Sequence, residues 1–513
     1  MFLYLVFIGI VLSMALFRLK RRRLHRLASE IPGSDDELPF IGVAHKFTGT
    51  TEDILTSLQK YSYEAMKKNG ILRGWIGHML YFIVMDPIDL EVVIKNCLEK
   101  DDLHRFLKNA IGNGGIYAPL PIWRRRRKIM MPAFSSKIVD TFIEIFSKQS
   151  EKLVSMLAKY AGKGDVTMEP FLSRYALDSI CGTTMGIKLN VQNDPDNPFL
   201  KAMKNILNFV CKRIFHLWLQ PEWLYKLFPQ YTEEKKYLKE MHNFVDEVIQ
   251  KKREEIIKEK YLKSEVDRSF DIRNYKTRSF LDLMITFSGD ENAYNDLELR
   301  EEIMTLTIAG TDTSAVSIGY TLKLLAMYPK VQDKLYQELL DVFGNFDRPI
   351  VKEDLAKLEY LNRVVKESLR LFPPTPFIIR KVLEDIYLPS GRTLPAGSGT
   401  VVSIWGLHRD PKYWGPKAEF FDPDRFLPER LDLKYSCSYM PFSSGPRNCP
   451  GSQYALMSIK TALSAIVRRY KIVGEESGPV PLIKSKIDIM LKAVDDYKIS
   501  LEKRVSINSE NFK

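Results

Sequence analysis

The residue types best suited to chemistry lie around one cysteine near the C-terminal end of the chain. Residues 442–451 read Phe-Ser-Ser-Gly-Pro-Arg-Asn-Cys-Pro-Gly, with the cysteine at position 449. The glycines let backbone N–H groups come close to the sulfur, where they stabilise a thiolate. A thiolate is the soft, electron-rich axial ligand that a haem iron needs if it is to split an O–O bond. The segment therefore predicts a haem iron bound by Cys449, and the alternative is a buried cysteine beside a glycine turn.

Other residues of the same segment also suit a bound haem. Phe442 can lie against the face of a porphyrin and limit the access of water. Arg447 can bind a propionate, because a guanidinium matches a carboxylate. Gly451 precedes a helical pattern that starts near Gln453, and the positive N-terminal end of that helix would favour the charged form of the sulfur.

The segment resembles the cysteine loop of the cytochromes P450, the haem-thiolate monooxygenases, whose pattern is F-x-x-G-x-R-x-C-x-G. The resemblance extends over roughly residues 30 to 500. It implies haem b as the cofactor, with O2 and a small lipophilic substrate that is hydroxylated or epoxidised. Residues 123–134 and those around Glu367 and Cys449 look nearest the branch of fatty-acid ω-hydroxylases and insect detoxification enzymes. Pro450 and Ser452 depart from the isoleucine and glutamine common in that branch.

Residues 309–314, Ala-Gly-Thr-Asp-Thr-Ser, resemble the oxygen-activation segment of that family. They lie in the longest helical pattern, from Asp296 to Tyr328. The resemblance implies that Thr313 donates a hydrogen bond to bound dioxygen and that Asp312 relays protons. Hydroxyl groups bonded to the backbone of a core helix would give the same pattern. Ala309 stands where many ω-hydroxylases carry a glutamate that becomes esterified to the haem, so no covalent haem link is expected there.

A tryptophan and an arginine four residues apart, Trp123 and Arg127, fall on one face of a predicted helix. They look like the family's W-x-x-x-R pair, which binds a haem propionate, and Arg380 matches another propionate-binding position. A docking surface for an acidic electron donor is expected from the neighbouring basic side chains, Arg124, Arg125, Arg126 and Lys128. A nuclear-localisation or nucleic-acid patch is the alternative, which the predicted membrane anchor and the adjacent tryptophan disfavour.

An ionic motif and an apolar set complete the predicted site. Glu367 and Arg370 are three residues apart on a predicted helix, where they can pair, and they look like the family's E-x-x-R motif. The resemblance adds Arg425 from a later loop and implies a structural role for this network. The substrate pocket is expected to be apolar and to include Leu306, Ala309, Phe377 and Ile378.

The surrounding pattern predicts a mainly α protein with the cytochrome P450 fold, in which a large helical domain accompanies a smaller β-rich subdomain. Residues 70–86 are expected to form two strands joined by a turn, and residues 386–404 a hairpin. Residues 98–121 are expected to form a glycine-rich loop that covers the substrate. Long amphipathic helices are predicted at 140–160, 170–185 and 232–260. The aromatic segment 199–228 is expected to belong to the core or to touch a membrane.

The N-terminal residues predict a membrane anchor rather than a cleaved signal, since the basic cluster follows the apolar run. We expect an anchor at 1–17, a basic and proline-containing linker at 18–42, a catalytic domain at 43–503 and a tail at 504–513. Because basic residues stay cytoplasmic, the catalytic domain is expected on the cytoplasmic face of the endoplasmic reticulum. The net charge of +12 fits an anionic membrane surface, and five scattered cysteines argue against a disulfide framework.

The source of electrons must be another protein, since the chain contains no G-x-G-x-x-G dinucleotide motif and no flavin-binding segment. The resemblance implies an NADPH-cytochrome reductase in the same membrane, with cytochrome b5 as a further partner. Two other functions stay open. One is a haem-thiolate isomerase or dehydratase that acts on preformed peroxides. Asp312 and Thr313 argue against this function, because such an enzyme needs no proton delivery to dioxygen. The other is a membrane-tethered haem protein that binds ligands without turnover.

Overall fold

The computed structural model describes residues 2–264, 278–287, 294–344, 348–431 and 435–504. The helices are α1 (Phe2–Lys20), α2 (Arg22–Ser29), α3 (Thr51–Lys67), α4 (Pro87–Asn96), α5 (Lys108–Ile111), α6 (Leu120–Met130), α7 (Ser136–Val139), α8 (Ile143–Leu157), α9 (Glu169–Thr184), α10 (Pro198–Phe215), α11 (Glu222–Tyr225), α12 (Pro229–Ser264), α13 (Phe280–Phe287), α14 (Asp296–Met327), α15 (Pro329–Phe343), α16 (Lys352–Lys357), α17 (Glu359–Leu371), α18 (Ile404–Leu407), α19 (Pro411–Trp414) and α20 (Ser452–Arg469). The strands are β1 (Ile71–Ile76), β2 (Met79–Val84), β3 (Asp165–Thr167), β4 (Phe377–Lys381), β5 (Ile386–Tyr387), β6 (Thr393–Leu394), β7 (Gly399–Ser403), β8 (Tyr470–Val473), β9 (Ser485–Asp488), β10 (Met490–Ala493) and β11 (Lys498–Lys503).

The chain forms two compact units. The smaller unit consists of Met1–Asp101, Phe377–Tyr413 and Lys434–Asn448, and the larger unit contains Asp102–Pro376, Trp414–Leu433 and Cys449–Lys513. Most of the predicted C-terminal tail, residues 505–513, lies outside the described residues.

A four-stranded sheet in the order β1-β2-β7-β4 organises the smaller unit. β1 and β2 pair antiparallel as the predicted strand-turn-strand, and β2 pairs parallel with β7. β2 is apolar at nearly every position because it lies inside the sheet, where both faces are covered. β5 and β6 pair as a short hairpin within the predicted range 386–404.

The long helix α14 is central to the larger unit, and its residues are buried along most of its length. A capping box fixes its start: Asn295 accepts a hydrogen bond from the Glu298 N–H at 2.9 Å, and Glu298 accepts one from the Asn295 N–H at 3.3 Å. The predicted helix therefore has its expected bounds to within one residue. Helices α9, α12 and α20 pack against it.

Two predictions about local structure need revision. The predicted loop 98–121 contains a 3₁₀ helix at Asp102–Leu107, and the short helix α5 follows. The glycines come after α5, and Gly112 ends it with a positive φ of 52°, so they do not prevent a helix before them. The aromatic segment 199–228 belongs to the core only in part, and its contact with a membrane stays a prediction. Its first part, in α10, is largely buried, whereas Trp218, Trp223 and Leu227 are 54%, 71% and 74% exposed.

The N-terminal segment forms helices α1 and α2 in the smaller unit. Helix α2 packs Leu24 and Ala28 against the core of that unit and leaves Arg22, Arg23 and Arg26 exposed. Among the residues that the structure describes, no helix is both long and apolar enough to cross a membrane.

Candidate active site

The cysteine predicted as the metal ligand lies directly before helix α20 in the larger unit. Cys449 is partly buried, and the N–H of Gly451 forms a hydrogen bond with its sulfur. Burial raises the pKa of the Cys449 thiol, while the Gly451 N–H and the positive charge of Arg127 lower it. The surroundings therefore disfavour a free thiolate but offer it one hydrogen bond and one cation. Such a sulfur is suited to a metal, which stabilises the anion directly.

Helix α6 places the predicted tryptophan and arginine on one face in the larger unit. Trp123 is buried and Arg127 is partly buried. Burial lowers the pKa of Arg127, and the Cys449 thiol acts in the opposite direction. Arg127 is thus close enough to the sulfur for their charges to interact, as the sequence spacing alone could not show.

The smaller unit contains a cluster of three cations. Arg380 in β4 lies beside Lys100, whose backbone forms an antiparallel bridge with it, and Arg447 donates a hydrogen bond to the Leu98 carbonyl at 3.0 Å. Burial and the charge of Arg447 lower the pKa of Arg380 to about 10. Burial and both arginines lower the pKa of Lys100. Like charges held together in this way favour an anionic ligand, such as a pair of carboxylates.

Lys100 was missed by the sequence analysis. It belongs to no motif, and only the pairing of its backbone with β4 brings it next to Arg380. A soft sulfur ligand in the larger unit and a cation cluster in the smaller unit are the groups that haem iron and haem propionates require. The residues present therefore fit a haem.

The turn before the cysteine has its own backbone constraint. Gly445 has a positive φ of 71°, and a side chain there would collide with Ile94. Only glycine adopts that conformation without strain and permits the close approach. Phe442 is half-buried at the start of the same turn.

The predicted oxygen-activation segment forms part of helix α14. The Thr313 hydroxyl donates to the Ala309 carbonyl at 2.6 Å, and Thr305, Thr307 and Thr311 make the same bond one turn back. In the structure, Thr313 therefore makes the hydrogen bond to the helix backbone that was the alternative interpretation of this segment. A helix hydroxyl that donates to its own backbone can still accept a hydrogen bond, or rotate to donate elsewhere.

The carboxylate of Asp312 lies 3.1 Å from the ammonium of Lys492 in β10. Burial raises the pKa of Asp312, and Lys492 opposes this effect. Burial lowers the pKa of Lys492, but Asp312 and Asp488 together raise it above its usual value. The structure thus pairs Asp312 with a cation that no sequence motif indicates.

Gly310, two residues before Asp312, has a packing role. A side chain at Gly310 would lie 2.5 Å from Cδ1 of Ile180 in α9. Glycine at this position lets α9 and α14 approach closely.

The predicted pocket residues divide between the units. Leu306 packs against the main hydrophobic cluster of the larger unit, and Ala309 follows one turn later on α14. Phe377 and Ile378 belong to β4 in the smaller unit, where Ile378 is buried in the core with Val402. Their role in a substrate pocket stays a prediction.

A buried carboxylate lies between two arginines in the larger unit. Arg370 donates to both oxygens of Glu367, at 2.7 and 2.8 Å, and Arg425 approaches the same carboxylate at 3.4 Å. Glu367 and Arg370 are fully buried. The two guanidinium groups also donate to backbone carbonyls, those of Trp414, Lys417, Ala418 and Phe420. This network holds residues 414–420 against helix α17.

The expected docking surface is smaller than the run of basic residues suggested. Arg126 is only 4% exposed and pairs with carboxylates of α14, and Arg125 forms an ion pair with Glu298. Arg124 and Lys128 are exposed. Consecutive positions on a helix point in different directions, so a run of five basic residues cannot form one surface.

The family model described as "Cytochrome P450" matches residues 32–499. Cytochrome P450 4d2 of Drosophila melanogaster is 33% identical over 479 residues, which cover 91% of this chain and 93% of the relative. Cytochrome P450 4V2 of Homo sapiens is 34% identical over 449 residues, covering 87% of this chain and 85% of the relative. The crystal structure of the cytochrome P450DA heme domain superimposes with a TM-score of 0.77 at 21% identity, over 93% of this chain and 98% of that one.

The chain belongs to the cytochrome P450 family, and its fold is that of a cytochrome P450. It is a cytochrome P450 monooxygenase, its cofactor is haem b, and it requires a redox partner, O2 and a lipophilic substrate. The expected resemblance to the ω-hydroxylase and insect branch is confirmed by insect and vertebrate relatives that carry cytochrome P450 4 names.

The Glu367 network yields a prediction about stability. Glu367→Gln removes the charge that the buried Arg370 and the partly buried Arg425 share, and we expect it to lower the free energy of unfolding by about 3–5 kcal/mol. Urea denaturation monitored by circular dichroism measures the change. Glu91→Gln breaks an exposed pair with Lys95 and serves as the control, with no measurable loss expected. Equal stability of the two variants would contradict a structural role for Glu367.

Proposed function

We propose that this protein inserts one oxygen atom of O2 into a C–H or C=C bond of a lipophilic fatty acid, terpenoid, steroid or foreign compound, with electrons from NADPH through a reductase. The observation that carries the proposal is the environment of Cys449. Its sulfur has one backbone hydrogen bond and one nearby cation at the start of α20. That environment suits an iron-bound thiolate.

The residues that would hold the haem follow from their chemistry. Cys449 would supply the sulfur ligand to the iron, with Gly451 donating to its sulfur, and Phe442 would supply an aromatic face. When bound, a haem-thiolate supplies the ability to activate O2. The propionate carboxylates are matched by cationic and N–H donors, namely Trp123, Arg127, Arg380 and Arg447, to which we add Lys100. Ala309 has no carboxylate, so the haem is held without a covalent link at that position.

Asp312 and Thr313 are proposed as the proton-delivery residues. Asp312 is buried and paired with Lys492, and its carboxyl group can take up and release a proton. Thr313 is one residue further along α14 and can hold a water molecule through its hydroxyl. Together they would move protons inward while apolar neighbours exclude bulk water.

The pocket residues support a lipophilic substrate. Leu306, Ala309, Phe377 and Ile378 have no polar side-chain atoms. A site lined by such residues binds hydrocarbon by removing it from water, with little demand for a particular functional group.

An NADPH-cytochrome reductase is the proposed electron donor, with cytochrome b5 as a second partner. The exposed cations Arg124 and Lys128 on α6 support an acidic docking partner. Nucleic acid is not a proposed partner.

We propose attachment to the endoplasmic reticulum membrane by a single N-terminal anchor, with the catalytic domain on the cytoplasmic face. The apolar run 1–17 and the basic residues after it support this topology. The smaller unit also exposes Leu38, Phe40 and Ile41, and the Arg18 guanidinium lies 5.5 Å from the Phe40 ring centre. Exposed apolar residues beside cations suit an anionic lipid surface.

A reconstituted assay tests the proposed reaction. With reductase, NADPH, O2 and a lipophilic probe such as lauric acid, the protein should give a product that contains one atom of labelled O2. In Cys449→Ala the strongly red-shifted Soret band of the reduced carbon monoxide complex should be absent. Cys181→Ala, which alters another buried cysteine, should retain the band. A band that persists in Cys449→Ala refutes the ligand assignment, and product formed only with added peroxide favours an isomerase or dehydratase.

The hydroxyl of Thr313 can be tested separately. Thr313→Ala should keep the carbon monoxide spectrum, slow product formation by about tenfold or more and divert electrons to hydrogen peroxide. Thr311→Ala is the matched control, because its hydroxyl bonds to the backbone of the same helix in the same way. Peroxide yield per NADPH measures the effect. The same coupling in both variants would exclude the proposed role.

Membrane attachment has a direct test. The full chain should stay with the membrane pellet after an alkaline carbonate wash, because an anchor in the lipid is not removed by charge screening. A variant that lacks residues 1–17 should be released, and its remaining binding to anionic vesicles should fall with salt. Release of the full chain by carbonate would rule out the anchor.

A further inference from the structure

A glycine-rich loop lies directly on helix α14 in the larger unit. This loop, residues 112–118, follows α5 and leads into α6. A side chain at Gly114 would collide with the Thr305 hydroxyl and would lie 2.6 Å from the Glu301 carbonyl oxygen. A side chain at Gly112 would collide with the Glu301 carboxylate. The loop backbone is therefore in contact with α14, and glycine is what permits it.

One buried arginine connects the loop to the helix. Arg126 in α6 donates to the Asn113 carbonyl at 2.7 Å through one terminal nitrogen and to Glu301 at 2.7 Å through the other. The same two nitrogens also approach Glu302 and Glu298, each at 3.4 Å. Arg126 thus joins three carboxylates of α14 to the loop backbone.

A buried carboxylate makes a second connection. The N–H of Gly115 donates to Glu302 at 3.1 Å, and Glu302 is only 1% exposed. Burial raises the pKa of Glu302 to about 7, although Arg126 and the Gly115 N–H act in the opposite direction. Such a carboxylate is costly to bury, and the Gly115 N–H stabilises it only while the loop is in place.

The loop and the predicted pocket share one hydrophobic cluster. Ile116 and Tyr117 of the loop pack against the same cluster as Leu306. Leu306 lies four residues after Glu302, so the two side chains are on the same face of α14. Because the Gly115 N–H is bonded to Glu302, the loop lies about one helical turn from Leu306.

We propose that Arg126, Glu301 and Glu302 form a clamp that holds loop 112–118 on α14 and limits the size of the ligand admitted beside Leu306. They are positioning residues, which act on the ligand through the loop. The inference rests on the proposed function, in which Leu306 lines the substrate pocket.

Hydrogen–deuterium exchange of the haem-loaded full chain tests the clamp. Arg126→Gln removes the bond to Asn113, and Glu302→Ala removes the acceptor for Gly115. Each should raise exchange in residues 112–118 by about tenfold while most of α14 keeps its protection. Gly114→Ala should do the same by pushing the loop from the helix without removing a charge. Arg124→Gln, an exposed neighbour on α6, should leave exchange unchanged.

Ligand size provides the second measurement. Imidazole and the bulkier 4-phenylimidazole both give a spectral shift when they bind haem iron, whatever the natural substrate. The clamp variants should bind 4-phenylimidazole several-fold faster than the unaltered protein and imidazole at the same rate. A general structural defect would change the binding rates of both azoles. The ratio of the 4-phenylimidazole rate to the imidazole rate therefore reports the position of the loop.

Two outcomes would overturn the proposal: unchanged loop exchange in the variants, or faster exchange with an unaltered ratio of azole rates. If Arg126→Gln fails to fold, Glu302→Ala and Gly114→Ala give the same test. Loop exchange does not depend on catalysis, whereas failure of the proposed function would appear in the spectrum of Cys449→Ala.

Discussion

Charged groups buried without water must find partners, and this requirement fixes several backbone segments of the larger unit. Glu367 illustrates it most completely, because both of its oxygens accept hydrogen bonds from Arg370, which in turn donates to the backbone at Ala418 and Phe420. Removing the Glu367 carboxylate would take the ion-pair partner from the buried Arg370. The network therefore holds residues 414–420 against helix α17.

Where a ligand is expected, by contrast, charges of the same sign are grouped together. In the smaller unit, Lys100, Arg380 and Arg447 lie together, and burial and mutual repulsion lower the pKa of Lys100 and Arg380. Buried like charges repel one another, and a bound anion would offset that repulsion. Cys449 is also subject to opposing effects. Burial disfavours its thiolate, whereas the Gly451 N–H and the charge of Arg127 stabilise it.

Much of the fold could be predicted because periodicity and capping are local properties. Helix α14 was predicted within one residue, since its apolar pattern is continuous and Asn295 caps it. The segment before Gly112 was misjudged, because glycines at the end of a helix and glycines that prevent one look alike in sequence. The basic residues after Trp123 were misjudged for a similar reason: helix geometry separates Arg126 from Lys128, but only the acidic face of α14 shows where Arg126 goes.

The sequence by itself determined the family, the cysteine suited to bind iron and the order of the motifs, because these depend on residue type and spacing within short segments. Only the tertiary structure decided which charges meet: Lys492 with Asp312, Lys100 with Arg380, and Arg126 with Glu301 and Glu302. Each of these pairs joins segments far apart in the chain. Coulombic interactions and desolvation depend on distances and burial in the folded structure. Neither distance nor burial can be read from separation along a sequence.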